Sequence, residues 1–116
     1  MSDDYLTYLP HIDVNDGTAR VMNNLKLYLN LLRKFKGRKM ADELCEAMTA
    51  GDSGKIIQIS HAMRGTAGNL GFTVLNGVTD EIEILCKSGK DCSHLAEPLC
   101  AAVDALERCI ARLTEA

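Results

Sequence analysis

The chain has no tryptophan, and its aromatic residues are only Tyr5, Tyr8, Tyr28, Phe35 and Phe72. A protein that holds single-stranded nucleic acid by base stacking needs more aromatic faces than this. Proline occurs twice, as Pro10 and Pro98. An all-β sandwich would want more aromatic and β-branched residues, and a turn signal about every 8–12 residues. No apolar run approaches the roughly 18 residues of a membrane span. The opening Met1-Ser2-Asp3-Asp4 is not followed by the basic and apolar segments of a secretory signal, so a cytoplasmic location is expected. A net charge of −3 gives no bulk attraction to nucleic acid or to an anionic membrane.

The cysteines Cys45, Cys86, Cys92, Cys100 and Cys109 are odd in number and include no CxxC pair. Small apolar residues of helices in a reducing compartment are the expectation, rather than a metal site or a redox pair, with an adventitious disulfide as the remaining alternative. His11 and His94 have no ligand partner at metal spacing. No metal site and no cofactor are therefore expected.

What is present is ordinary globular material. The 116 residues are 47% apolar and 25% charged, which predicts one domain over 1–116. A chain of this length can bury roughly two-thirds of its unfolded surface. Residues 1–14 read as an irregular lead-in, with Pro10 as a breaker. Asn15 or Asp16 can cap a short helix over about 17–23, and Asn23-Asn24 interrupts or caps. One long helical pattern runs from Leu25 to Ala50. Leu25, Tyr28, Leu29 and Leu32 share a face, as do Met40, Ala41, Leu44, Cys45 and Met48. Gly37 weakens it locally. Gly51-Asp52-Ser53 is a stop and restart. Helices over Ser53–Leu70, Thr73–Lys87 and Ser93–Thr114 follow, with breaks at Gly71-Phe72 and Ser88-Gly89. In the last, Leu95, Leu99, Ala102, Val103, Leu106, Ile110 and Leu113 form an apolar stripe, and Pro98 sits near the first turn, where it costs least. Met22, Met40, Met48 and Met63 read as core filler, and Gly77 as a packing glycine. The pattern predicts an all-α fold, an antiparallel four-helix bundle with a short extra N-terminal helix.

The informative stretch is Ile59 to Gly71. Gly65 and Gly68 lie inside a helical pattern at a cost of roughly 1 kcal/mol each against alanine. On a wheel with about 100° per residue, Ile56, Ile59, Met63, Ala67, Leu70 and Val74 fall within about 50° of the pole opposite His61. His61 therefore faces solvent. Gly65 and Gly68 lie within about 40° of its direction, leaving bare backbone beside it, and Arg64 flanks it. Ile57 and Phe72 point to the same side if helicity holds, as a docking patch would.

A neutral imidazole keeps a lone pair on one ring nitrogen and can attack phosphorus without a general base. In-line transfer needs room for the incoming group, which Gly65 and Gly68 leave open. Arg64 can pair with phosphoryl oxygens. Glu81 and Glu83 could be read as an acid–base pair, but no second acidic constellation accompanies them.

The run His61-Ala-Met-Arg-Gly-Thr-Ala-Gly-Asn-Leu-Gly71 resembles the motif of histidine-containing phosphotransfer (HPt) domains, roughly H-x-[LM]-[KR]-G-[ST]-[AS]-x-x-[LIF]-G. Ile12-Asp13, Tyr28, Leu31-Leu32, Phe35 and Ala50-Gly51-Asp52 are similar too, so the resemblance spans about residues 11–114. Arg64 stands where the family more often has lysine, which keeps the charge but alters its geometry. The resemblance implies phosphorylation of His61, on the outer nitrogen Nε2. It implies receiver domains of response regulators or a hybrid sensor histidine kinase as partners, with Mg²⁺ held by the receiver. It implies a carrier rather than an enzyme. A monomer is expected, with no nucleic-acid or membrane partner. Two other readings stand beside it: a phosphorylation-silent helical adaptor, and a stand-alone hydrolase or transferase using His61. The latter is weakened because no second catalytic group accompanies the histidine.

Arg33, Lys34, Lys36, Arg38 and Lys39 form a basic run. On a helical hairpin turning near Gly51, this run lies level with Arg64 to Gly68. Arg38 and Lys34 are then candidates for contact with an acidic receiver pocket. A solvated helix face is the plainer reading.

Overall fold

The computed structural model describes residues 11–114. Among them the chain forms α1 (Val14–Ala19), α2 (Leu25–Arg33), α3 (Gly37–Ala50), α4 (Ser53–Leu70), α5 (Thr73–Lys87), a 3₁₀ turn at Ser93–Leu95, and α6 (Ala96–Thr114), with no strand. The two long central helices have the predicted bounds. Asp52 caps α4 by accepting from the Lys55 amide at 3.2 Å, directly after Gly51 closes α3 in the left-handed region. The last predicted helix begins as the 3₁₀ turn, which Asp91 holds through the Ser93 amide and hydroxyl. Pro98 lies in the first turn of α6.

Two N-terminal expectations are corrected. The first helix is capped by Asp13, not Asn15 or Asp16, and runs over Val14–Ala19. The irregular lead-in therefore ends at residue 13, and Pro10 and the rest of 1–10 lie outside the described residues. The cause is tertiary. Ile12 and Val14 are buried, and the Asp13 amide donates to the Gly71 carbonyl at 2.7 Å. Gly71 has φ +78°, and a Cβ there would run into the Asp13 carbonyl.

The single helix expected over 25–50 is two helices, broken at Lys34-Phe35-Lys36. The buried faces explain the break. α2 buries Tyr28 and Leu32, whereas α3 buries Gly37, Ala41, Leu44 and Ala47. On one straight helix those stripes would lie roughly 140° apart. The break re-aims the second, and Phe35 packs edge-on against Phe72 with ring centroids 4.9 Å apart. Gly37 lies under the Phe35 ring, where a Cβ would collide.

Helices α3 to α6 close a ring, with α4 between α3 and α5, and α6 between α5 and α3. Leu44, Ile56, Met63, Leu75, Ile82, Leu99, Val103 and Leu106 fill it. α1 and α2 cover the end where α4 hands over to α5. There the buried Tyr28 hydroxyl donates to the Leu70 carbonyl at 2.6 Å. Burial, with Asp13 and Asp16 nearby, pushes this phenol well above its ordinary range.

Met63 is fully buried and Met40 and Met48 partly so, but Met22 is 92% exposed on the turn after α1, with positive φ. It is not core filler. Gly77 faces open space rather than a packed helix. No helix among the described residues is long and apolar enough to cross a membrane.

Candidate functional site

α4 turns its apolar stripe inward, with Ile56, Met63, Ala67 and Leu70 buried and Ile59 partly so. This leaves the His61 side chain on the opposite face, 62% exposed. Val74, placed on the same stripe by the wheel, belongs to α5 and is half-buried there. The ring of His61 leans toward α5. Its Nδ1 lies 2.9 Å from Oε2 of Glu83.

Glu83 is the residue that sequence reasoning missed. It is not paired with Glu81, which is exposed. Instead its carboxylate is buried between α4 and α5 and carries three neighbours. Lys87 Nζ lies 3.0 Å from Oε2, and Arg64 Nε lies 2.9 Å from Oε1, with His61 as the third. Burial alone would raise the carboxyl's pKa. The hydrogen bonds from Lys87 and His61, and the charges of Lys87 and Arg64, outweigh it and hold Glu83 below the usual carboxylate range. A signal was present. Leu75, Thr79 and Ile82 are the core positions of α5, and Glu83 follows Thr79 by one turn. A carboxylate on a core-facing stripe needs partners, and Lys87 stands one turn further on.

The Nδ1 atom also has Nη2 of Arg64 at 3.1 Å. A ring nitrogen cannot both donate to the carboxylate and accept from the guanidinium. The charged, buried acceptor makes the stronger claim on a proton. Nδ1–H therefore donates to Glu83, and the lone pair resides on Nε2, on the solvent side of the ring. Arg64 keeps its ties to Glu83 and to Asp80, at 3.8 Å, so its guanidinium stands beside the imidazole.

Gly65 has open space where a side chain would project, and at Gly68 the nearest atom is the Asn76 amide nitrogen at 3.4 Å. That amide donates to the Arg64 carbonyl at 3.2 Å and so belongs to the α4–α5 seam. Ile57, one turn before His61, is half-buried. Phe72 is not on this face. It is fully buried, because Gly71 ends α4 with a left-handed residue and the wheel does not continue through it.

The basic run is not gathered beside His61 either. The break between α2 and α3 divides it. Arg33 contacts Asn30 and the Thr114 carbonyl, and Arg38 pairs with Asp104 and Glu107 on α6. Arg38 thus faces the α3–α6 seam, across the bundle from α5. Lys34 is exposed just past α2. An open groove of about 540 Å³ does adjoin the site on its other flank, between α3 and α4, lined partly by Met40, Ala47, Ile59 and Ala62. Among the described residues, no group of three or more His, Cys, Asp or Glu side chains could hold a metal.

The bundle presents the His61 imidazole to solvent, backed by a buried carboxylate and flanked by an arginine and two glycines, so the candidate site is a surface histidine on an all-helical scaffold. The family model described as Hpt domain matches residues 36–116, and the chain belongs to that family. No curated protein and no solved structure matches the chain. Hpt domains are phosphocarriers of phosphorelays, working with receiver domains and kinases, and are generally not enzymes. The matched stretch contains α3 to α6 and the whole His61 cluster; α1 and α2 precede it.

Proposed function

We propose that this chain is a phosphorelay carrier in which His61 Nε2 accepts a phosphoryl group from a receiver-domain aspartate or a sensor kinase and passes it to another receiver aspartate. The observation that carries the reading is the contact of His61 Nδ1 with the buried Glu83 carboxylate at 2.9 Å, beneath a ring that is 62% exposed.

The chemistry follows from that contact. Nε2 attacks the phosphorus of the aspartyl phosphate. The P–N bond forms, the P–O bond to the aspartate breaks, and the carboxylate leaves. The ring becomes an imidazolium carrying Nδ1–H and a phosphoryl group on Nε2. Its positive charge lies against the ionised Glu83, which stabilises the charge where it develops. Arg64 is placed to meet phosphoryl oxygens as they arrive. Gly65 and Gly68 leave the approach open, so the receiver can bring its aspartate in line. The half-buried Ile57, one turn before His61, offers apolar surface beside the histidine for that docking. Forward transfer is the same step reversed.

The test is incubation of the chain with radiolabelled phosphorylated receiver domains. Acid-labile, base-stable label on the wild type, and none on His61→Gln, is the expected result. Label retained by His61→Gln would move the acceptor elsewhere, and no label on either protein would leave only a docking module.

A further inference from the structure

The α3–α6 seam holds contacts that share one register. Arg38 pairs with Asp104 and reaches Glu107 at 3.8 Å. Two turns further along α3, Cys45 Sγ lies 3.9 Å from Cys100 Sγ on α6. The step from 38 to 45 and the step back from 107 to 100 are equal and opposite, as antiparallel helices require. The sulfurs therefore meet because the bundle packs this way, with a separation of 55 in sequence, and no local cysteine motif announces them. Both residues are only partly buried, so small solutes can reach the seam. A disulfide needs the sulfurs about 2.05 Å apart. Cys86, by contrast, is turned toward the Ser53 carbonyl, at 3.6 Å.

We propose that Cys45 and Cys100 form a redox modification site, a dithiol that a small-molecule disulfide oxidises to a cross-link between α3 and α6. Burial and the neighbouring Cys100 sulfur push the Cys45 thiol up to about 11, so Cys45 acts as the resolving thiol of the pair. The Cys100 thiolate attacks one sulfur of glutathione disulfide. The S–S bond of glutathione breaks, one glutathione thiolate leaves, and a mixed disulfide forms on Cys100. Cys45 then gives its proton to solvent and attacks the Cys100 sulfur, and the second glutathione leaves. Two electrons pass from the cysteine pair to the oxidant. The cross-link stays in the α3–α6 seam and touches neither His61 nor Glu83.

The experiment equilibrates the full chain in glutathione buffers of rising oxidised fraction, quenches with acid, alkylates, and maps the peptides by mass. The expected product is a monomeric chain with a Cys45–Cys100 peptide and the other three thiols alkylated. Its melting temperature should rise by roughly 10 °C, because the closed loop is long, and return on reduction. Cys45→Ser should keep glutathione on Cys100 and show no cross-link. All thiols alkylated at the most oxidising poise would overturn the proposal. So would linkage through Cys86, Cys92 or Cys109, or links only between chains.

Discussion

The α4–α5 and α3–α6 seams lie on opposite sides of one bundle, and each sets a cationic or ionisable side chain of one helix against carboxylates of the next. In the α3–α6 seam, Arg38 meets Asp104 and Glu107, and all three side chains are nearly half exposed. In the α4–α5 seam the carboxylate of Glu83 is buried and its cations lie outside it. The difference decides what each seam can do. Exposed pairs such as Arg38's are screened by water and fix little beyond helix register. A buried carboxylate has fixed direction and keeps its field, so it can dictate which imidazole nitrogen carries the proton.

The strongest way to break this comparison is His61→Gln. It should reduce phosphoryl uptake to background while leaving helical circular dichroism unchanged. Gly65→Glu and Gly68→Gln come next. Each fills space on the approach side and should slow receiver-to-histidine transfer on the order of 10- to 100-fold, without unfolding the bundle. Stopped-flow transfer rates beside urea melts check both halves, and unchanged rates would refute the need for clearance.

Glu83→Gln has an intermediate effect. It should slow transfer about tenfold and cost about 1–2 kcal/mol of stability at neutral pH, read from urea denaturation. The pH dependence has a definite sign. Because the folded carboxyl lies below its unfolded value of 4.5, its stabilisation is complete above about pH 4.5. It is lost as pH falls through the folded value. Wild type and Glu83→Gln should therefore converge in stability in acid, not in base. Arg38→Ala is the smallest change. It should cost less than about 1 kcal/mol and leave transfer rates unchanged. A slowed rate would mean that a receiver does contact Arg38, as the basic run in the sequence suggests.

Much of the bundle was legible because its signals are local. Gly51-Asp52 and Gly71 punctuate α4 without ambiguity, and the stripe from Ile56 to Leu70 sets its inward face. The exposure of His61 follows from that stripe alone. What sequence could not show was set by contacts between distant segments. Asp13 caps α1 because its own amide is tied to Gly71. The hydrophobic positions on either side of Phe35 each look helical, and only their phase difference reveals that one rod cannot bury both. A helical wheel puts Phe72 on the histidine face only if it continues past the left-handed Gly71, where α4 in fact ends. Taken as half of an acid–base pair with Glu81, Glu83 has no partner chemistry; its inward position on α5 is the feature that marks it.

The tie between the N-terminal segment and the histidine helix has a practical side. The family match begins at residue 36, yet Tyr28 and Ile12 plug the interior beyond Leu70, and Asp13 clasps the glycine at which α4 ends. A fragment trimmed to those boundaries would open the bundle's apolar floor to water and leave the last turn of the histidine helix to fray. Expression designs for this molecule should retain the stretch from residue 11 onward.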